Sequence, residues 1–292
     1  PPSPSPSQLF DVLPEDAMGN STFVLEWGGL SLREALKAER FSLPMARHVC
    51  DRIVATGRHL HAHSIVHADL RTEHFFLIDS QWKLADLSDA RRRGEPLREH
   101  LGARPIKYLT PELARNVRRR MRGGESPQPI AAMPSTDAWA LGVLTYELCV
   151  GGAPLWPHPD SEILENLAGE SEVTLGLGAI PSAAARGFIR KLVRWAPDER
   201  MTLDEAAAHA WLSGGLDEVE LGESFGGLLK EQQATESALA SVEAEVTAGR
   251  RRDVESAPRG NQILGVRAPN AHEARAQGAG LYGAAITARG GV

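Results

Sequence analysis

Four histidines fall within nine residues of this sequence, at positions His59, His61, His63 and His67. Imidazole nitrogen is a common zinc ligand, so a zinc site is one interpretation of this cluster. The first three, however, follow an i, i+2, i+4 pattern at the end of a predicted helix, which spreads their rings over more than one face. A structural role for these histidines is the interpretation that we favour.

Two runs of three arginines, Arg91–Arg93 and Arg118–Arg120, could bind an acidic peptide or nucleic acid. The whole chain carries 32 Lys and Arg against 38 Asp and Glu, a formal net charge of −6. This mildly acidic balance gives no support to nucleic acid or an anionic membrane as the main partner. We therefore interpret both runs as solvated loop surfaces, and we expect neither nucleic acid nor a membrane as the partner.

The elements that must position any site are mostly helices. Apolar residues recur at helical spacing over 44–61, with a proline in the first turn. The apolar stretch at 136–150 predicts a buried core helix that is too short to span a bilayer. Short apolar runs at 75–78 and 82–84 predict a β hairpin. Further helices are predicted at 160–168, 182–195 and 203–212.

Composition and cysteine placement predict how the chain is organised. Residues 1–20 are rich in Pro and Ser and then polar, which predicts a linker that resists packing. Residues 214–292 are of low complexity, and we expect a largely disordered tail. The Arg- and Gly-rich residues 112–134 predict an exposed insertion. Cys50 and Cys149 lie in apolar helical surroundings and predict buried thiols, hence an intracellular, cytoplasmic location.

Short motifs in a fixed order carry a family resemblance. His67-Ala68-Asp69-Leu70-Arg71-Thr72-Glu73-His74 is followed by Asp86-Leu87-Ser88 and by Thr110-Pro111-Glu112. Ser135-Thr136-Asp137-Ala138-Trp139-Ala140-Leu141-Gly142 and Ala196-Pro197-Asp198-Glu199-Arg200 complete the series. Over residues 21–213 these motifs resemble the H-R-D-L-K-x-x-N, D-F-G, A-P-E, S-D-x-W-S-x-G and D-P-x-x-R motifs of eukaryotic-type protein kinases. Thr72-Glu73, before the Asn position, is closer to the serine/threonine kinases.

The resemblance implies an α+β fold, namely the C-terminal lobe of a protein kinase, mainly α-helical with a small β hairpin. The N-terminal lobe of the family supplies a G-x-G-x-x-G loop and a lysine that hold ATP. Residues 1–22 contain neither feature. We therefore expect this lobe to be absent or nearly absent from the chain, which also lacks an initiator Met and is expected to be a fragment of a longer protein.

The resemblance assigns catalytic roles to Asp69, which would accept the proton of the substrate hydroxyl, and to Arg71, which would face the transferring phosphate. Asp86 would bind the Mg²⁺ that bridges the nucleotide phosphates, since a hard cation suits a carboxylate. His74 stands where the family has an Asn that holds a second Mg²⁺, and imidazole is a poor ligand for this metal. ATP and Mg²⁺ are thus the implied cofactors of an active protein, whereas an inactive one needs none.

Other positions match the family's adenine site and its internal anchors. Glu26 and Trp27 resemble the hinge that binds adenine through its backbone, and Phe76 would lie under the adenine ring. Glu112 and Arg200 match the family's buried ion pair. Asp137 matches the aspartate that holds the catalytic-loop backbone, and His67 matches the histidine that begins this loop.

Two departures from the family pattern concern the activation loop. Ala68 replaces the arginine that pairs with a phosphorylated loop in many kinases. Residues 89–109 contain no Ser or Thr, and Tyr108 is their one hydroxyl-bearing residue. We infer that classical loop phosphorylation does not switch this protein.

Three functional hypotheses stay open. Departures such as His74 and Ser88 favour a pseudokinase that acts as a scaffold. The retained Asp69 and Asp86 favour an active serine/threonine kinase whose N-terminal lobe is missing from this chain. The third hypothesis is a pure interaction module that works through the basic insertion at 117–130 or through the tail. The expected partner is a protein, as substrate or as scaffold partner, and the oligomeric state is left open.

Overall fold

The computed structural model describes residues 9–13, 21–26, 29–78, 81–97, 104–123, 128–169 and 174–213, together with a few positions beyond 225. The chain forms two compact units. The larger unit contains Leu30–Phe225, and the smaller unit contains Ser7–Gly29 and Gly226–Val292. All the motifs between residues 67 and 200 belong to the larger unit.

Helices dominate the larger unit. Within its described residues they are α1 (Leu32–Ala38), α2 (Leu43–Ala62), α3 (Pro111–Met121), α4 (Pro134–Val150), α5 (Asp160–Leu167), α6 (Ala183–Leu192) and α7 (Leu203–Ala207). Several begin after a Ser or Thr whose side chain accepts a backbone N–H of the first turn, as Ser31, Ser42 and Thr110 do. Helix α4 ends at Gly151, whose φ of 76° is a left-handed conformation that glycine adopts without strain.

The described residues also form small antiparallel sheets. In the larger unit, β5 (Phe75–Ile78) pairs with both β3 (Leu30–Ser31) and β6 (Gln81–Leu84). A separate pair joins β4 (Ile65–Val66) to β7 (Arg91–Arg92). In the smaller unit, β2 (Ser21–Leu25) pairs with β1 (Leu9–Leu13) and with β8 (Ala285–Ala288).

Helix α4 is the centre of the larger unit and packs against α2 and α6. Every residue from 136 to 149 is buried, as expected for a helix that is apolar on all sides. Trp139 stacks on Trp156 with the ring centroids 5.8 Å apart. A Cβ atom on Gly142 would lie 2.5 Å from the Val193 side chain, so glycine permits the close approach of α4 to the end of α6. This packing gives α4 a fixed position from which its polar side chains can act.

Several predicted elements are confirmed. The hairpin at 75–78 and 82–84 and the helices at 44–61 and 136–150 are present. The helices predicted at 182–195 and 203–212 are shorter, because the helical conformation ends at Leu192 and Ala207. None of the helices in the described ranges combines the length and the apolar content that a bilayer crossing needs.

Regular structure also occurs in three segments whose composition indicated none. The linker predicted at 1–20 contains strand β1, because the apolar residues of Leu9–Leu13 pair with β2. The tail predicted at 214–292 contributes β8 to the same sheet. The exposed insertion predicted at 112–134 begins instead with α3, which buries Leu113 while leaving Arg119 exposed.

Candidate active site

One carboxylate of α4 holds the loop between β4 and β5, residues 67–74. Asp137 accepts hydrogen bonds from the backbone N–H groups of His67, at 2.9 Å, and of Ala68, at 2.8 Å. Its Oδ2 also lies 2.8 Å from Nε2 of His61, near the end of α2. Ala68 has a φ of 66°, a left-handed conformation that costs a residue with a Cβ about 1–2 kcal/mol. The fully buried Asp137 thus fixes a strained loop to the central helix.

Three side chains of this loop contact one another. Nδ1 of His74 lies 2.8 Å from the backbone carbonyl of Asp69, and Nε of Arg71 lies 3.0 Å from Nε2 of His74. Because a guanidinium can only donate, Nε2 of His74 accepts, and the proton on Nδ1 is donated to the carbonyl. Nε of Arg71 is also 3.4 Å from Oδ2 of Asp69. The guanidinium is therefore folded back onto the loop that carries it.

Asp86, which follows β6, brings a second carboxylate to the same place. Its Oδ2 lies 3.4 Å from Nε2 of His74, while Oδ2 of Asp69 lies 3.7 Å from Nδ1 of the same ring. The two carboxylates thus face opposite nitrogens of one imidazole. Asp86 has a φ of 59°, and its Oδ1 accepts the backbone N–H of Ser88 at 3.1 Å.

The pKa of Asp86 is lower than its ordinary value, although the carboxylate is half-buried. Burial acts to raise this pKa. Hydrogen bonds from the hydroxyl and the N–H of Ser88 stabilise the ionised form and are the main effects that oppose burial. Asp86 is therefore ionised at neutral pH, which is the state that a metal cation requires.

His67 is completely buried at the start of the loop. Its Nδ1 accepts the backbone N–H of Asp69 at 3.2 Å, and its ring centroid lies 6.1 Å from that of His74. Burial is the main cause that lowers the pKa of His67, so the ring is neutral at neutral pH. His67 packs the loop and supplies no positive charge to the site.

The other members of the histidine cluster do not converge on a common point. His61 contacts Asp137, whereas the ring centroids of His59 and His63 lie 4.6 Å apart and His63 bonds the His59 carbonyl. Among the residues that the structure describes, no group of three or more His, Cys, Asp or Glu side chains could hold a metal ion. The zinc interpretation gains no support from this geometry.

Glu112 and Arg200 form an ion pair next to α4. The two guanidinium Nη atoms lie 2.9 and 2.7 Å from the two carboxylate oxygens of Glu112. The Arg200 side chain is fully buried and also donates to three backbone carbonyls, those of Ser135, Arg194 and Trp195. Its guanidinium carbon lies 5.1 Å from the centroid of the Trp139 ring. This pair ties the start of α3 to the segment between α6 and α7.

The residues predicted to bind adenine are described only in part. Phe76 lies in β5 opposite Ser31 and Lys83 and is partly exposed. Glu26 belongs to the smaller unit, and Trp27 lies outside the described residues. An adenine site made by Glu26, Trp27 and Phe76 stays a prediction.

A polar cluster next to the loop that precedes α3 was not predicted from the sequence. Glu147 of α4 is buried, and its two oxygens lie 2.5 Å from Nζ of Lys107 and 2.6 Å from the hydroxyl of Tyr108. Burial raises the pKa of Glu147, although Lys107 and Tyr108 oppose this effect. A charged residue in the apolar second half of α4 is the signal that could have found the cluster, because a buried charge needs a partner.

Comparison with known proteins agrees with this geometry. The family model for the protein kinase domain matches residues 11–212, which is more than half of the chain and begins upstream of the region that the motifs cover. The larger unit, with its helices and small antiparallel sheets, has a kinase-like fold.

Individual relatives are similar over part of their length. The muscle M-line assembly protein unc-89 of Caenorhabditis elegans is 35% identical over 158 residues, 53% of this chain and 2% of that protein. Calcium-dependent protein kinase 25 of Arabidopsis thaliana is 29% identical over 192 residues, 63% of this chain and 34% of that protein. The serine/threonine-protein kinase PKH3 of Eremothecium gossypii is 28% identical over 206 residues, 67% of this chain and 26% of that protein.

This chain spans about a third or less of the length of these relatives. The match to the family model nevertheless covers every motif from the catalytic loop to Arg200. The chain therefore belongs to the eukaryotic-type protein kinase family.

Proposed function

We propose that this chain is a serine/threonine-type protein kinase domain that binds ATP and Mg²⁺ through its lower lobe but transfers phosphate poorly. The observation that carries the proposal is the contact of Arg71 with His74, at the place where the carboxylates of Asp69 and Asp86 converge. A protein is the substrate class that the family membership supports.

Part of the machinery for phosphoryl transfer has suitable chemistry. Asp69 would accept the proton of a substrate hydroxyl and orient it. Asp86 offers an ionised oxygen ligand, so the residues present fit one Mg²⁺ ion. When bound, this ion would neutralise charge on the nucleotide phosphates.

The second cation position does not fit the metal that the family uses. His74 offers nitrogen where the family has an amide oxygen, and Mg²⁺ prefers oxygen. The lone pair of Nε2 already accepts from Arg71, whose positive charge would also repel a metal. Loss of one preorganised electrostatic group lowers kcat by about 10²–10³, or about 2.7–4 kcal/mol. We therefore derive impaired transfer from His74 and Arg71 together.

Binding of the nucleotide phosphates is expected to be weak for a second reason. Residues 1–29 contain no lysine and no G-x-G-x-x-G sequence, so this stretch does not supply the family's phosphate-binding loop. Since the family match starts at residue 11, the absence of an N-terminal lobe stays a prediction.

A serine/threonine preference and an intracellular location have their own support. PKH3 is named a serine/threonine kinase, and Thr72-Glu73 fits this class. Cys50 and Cys149 are free and buried, as unpaired cysteines of proteins in a reducing compartment commonly are.

A second candidate function is a scaffold without catalysis. The 35% identical relative is named an assembly protein of the muscle M-line. In this function, the departures at Ala68, His74 and Ser88 would carry no penalty, because the chain would act through its surface.

A thermal-shift titration with ATP and Mg²⁺ tests the proposed function. If the nucleotide reaches about ten times its Kd, binding stabilises the domain by about 1.4 kcal/mol, which raises Tm by about 3–6 °C. Asp86→Asn should remove the Mg²⁺-dependent part of this shift, because it removes the ionised oxygen ligand. Asp204→Asn, an exposed carboxylate of α7 paired with Arg58, is the matched control and should keep the shift.

The outcomes separate the two candidate functions. A shift in wild type that Asp86→Asn abolishes supports nucleotide binding by this lobe. No shift at any ATP and Mg²⁺ concentration would overturn it and favour the scaffold. A shift of equal size in wild type and Asp86→Asn would place the nucleotide elsewhere.

A further inference from the structure

We propose that the activation segment of this protein carries a built-in clamp that holds residues 89–97 in place without phosphorylation. The clamp consists of the ion pair between Asp89 and Arg104 and of backbone pairing between residues 94–97 and 130–132. It is independent of whether the chain transfers phosphate, because it concerns the order of the segment alone.

A phosphate-dependent switch has no components in the described part of this segment. Residue 68 is an alanine, and it is buried. Tyr108 is buried too, and its hydroxyl donates to Glu147 at 2.6 Å, so it is not accessible to a modifying enzyme. Some other interaction must therefore hold the segment.

The Asp89–Arg104 ion pair joins two positions fifteen residues apart. Arg104 is buried, and its Nη and Nε atoms lie 3.0 and 3.3 Å from Oδ2 of Asp89. A phosphorylated loop is ordered when the new anion binds a buried or clustered arginine. Here Asp89 is the anion and Arg104 the cation, and both are encoded in the sequence. The contact therefore needs no modifying enzyme to supply its charges.

Backbone hydrogen bonds to the segment that follows α3 are the second part of the clamp and fix residues 94–97. The N–H of Gly94 donates to the carbonyl of Ala132 at 2.9 Å, and the N–H of Ala132 donates to the backbone carbonyl of Glu95 at 2.7 Å. The N–H of Leu97 donates to the backbone carbonyl of Ile130 at 2.8 Å. Ala132 is completely buried. The return segment is itself anchored, because the side-chain amide of Asn116 in α3 donates to the Gln128 carbonyl at 2.6 Å. The sequence following α3 therefore serves as a brace for the activation segment.

The three consecutive arginines at 91–93 provide a direct readout of the clamp. Trypsin cleaves after arginine only where the backbone can leave its paired conformation, and here residues 91 and 92 pair with β4. We expect slow cleavage at 91–93 in the full chain after treatment with phosphatase. Arg104→Gln and Asp89→Asn should each raise this rate about tenfold, since each removes a charge-assisted hydrogen bond from the held state.

Two controls distinguish loss of the clamp from other causes of faster cleavage. Arg58→Gln removes an exposed pair with Asp204 and should leave cleavage at 91–93 unchanged. Cleavage after Arg190 and Lys191 in α6, measured in the same digest, reports general unfolding. The double variant Asp89→Asn/Arg104→Gln should exceed neither single variant, because both remove the same contact.

The proposal is overturned if phosphatase treatment of wild type itself accelerates cleavage at 91–93. It is also overturned if both single variants are cleaved at the wild-type rate. Should the variants unfold altogether, faster cleavage of wild type after phosphatase treatment would still overturn the proposal.

Discussion

Asp137→Ala is expected to lower the free energy of unfolding by about 3–5 kcal/mol, a large part of the stability of an ordinary domain. The carboxylate accepts the N–H groups of His67 and Ala68 and contacts His61. Alanine leaves two buried donors without an acceptor, at about 1–3 kcal/mol each, and frees Ala68 from its left-handed conformation. Urea-induced unfolding followed by circular dichroism measures the change.

Asp137→Asn and Asp204→Ala are the companion variants. Asparagine keeps the shape and one acceptor oxygen, so we expect about half the loss seen with alanine. Asp204 is exposed and pairs with Arg58, and its replacement should change stability by no more than about 0.5 kcal/mol. If Asp137→Ala were as mild as Asp204→Ala, the catalytic loop would not depend on α4.

Arg200→Met is expected to destabilise the domain by about 3–5 kcal/mol, since it breaks a buried ion pair from one side. Methionine is similar in length but leaves the Glu112 carboxylate and three backbone carbonyls without their donor. The loss should appear as a lower urea midpoint with an unchanged m-value, because the folded state stays compact.

A double variant separates the ion pair from simple packing. Adding Glu112→Leu to Arg200→Met removes the unpaired charge, so part of the lost stability should return. Arg194→Ala, which removes an exposed pair with Glu199, is the matched control and should cost no more than about 1 kcal/mol. A double variant that is less stable than the sum of the two single changes would contradict this account of the pair.

The residues that converge in the site could be predicted because short motifs and regular elements position them. Asp69 follows strand β4, and Asp86 follows strand β6. The two short apolar runs between these residues, at 75–78 and 82–84, predicted the hairpin. The apolar helix around Asp137 was equally clear from its composition. Local spacing thus predicted the hairpin and the helix around Asp137, whereas the expectation that Asp69 and Asp86 share one site came from the resemblance of the short motifs to those of protein kinases.

Contacts that depend on side-chain conformation or long-range packing were not predictable. The folding of Arg71 onto His74 depends on which rotamer the guanidinium adopts. The pairs Asp89–Arg104 and Lys107–Glu147 join residues fifteen and forty positions apart. Nothing in the local sequence of either partner indicates the other.

Helix α3 and strand β1 were not predicted, because the residues in and around them have a biased composition. The arginines of α3 suggested a solvated loop, although Leu113, Ala114 and Val117 form an apolar stripe at helical spacing. In the same way, prolines and serines around Leu9–Leu13 obscured a short apolar strand. Periodicity is the better guide where a biased composition surrounds a few apolar residues.

The central claim is that this lobe holds one metal ion at Asp86 and has a side-chain cation where the family holds a second one. Counting bound Mn²⁺ by electron paramagnetic resonance, with a non-hydrolysable ATP analogue and a nucleotide-only reference, tests it most directly, because Mn²⁺ accepts the same oxygen ligands as Mg²⁺. We predict one Mn²⁺ per chain in wild type, none above the nucleotide-only reference in Asp86→Asn, and two in His74→Asn. Two ions in wild type, or a count that Asp86→Asn leaves unchanged, would contradict the claim.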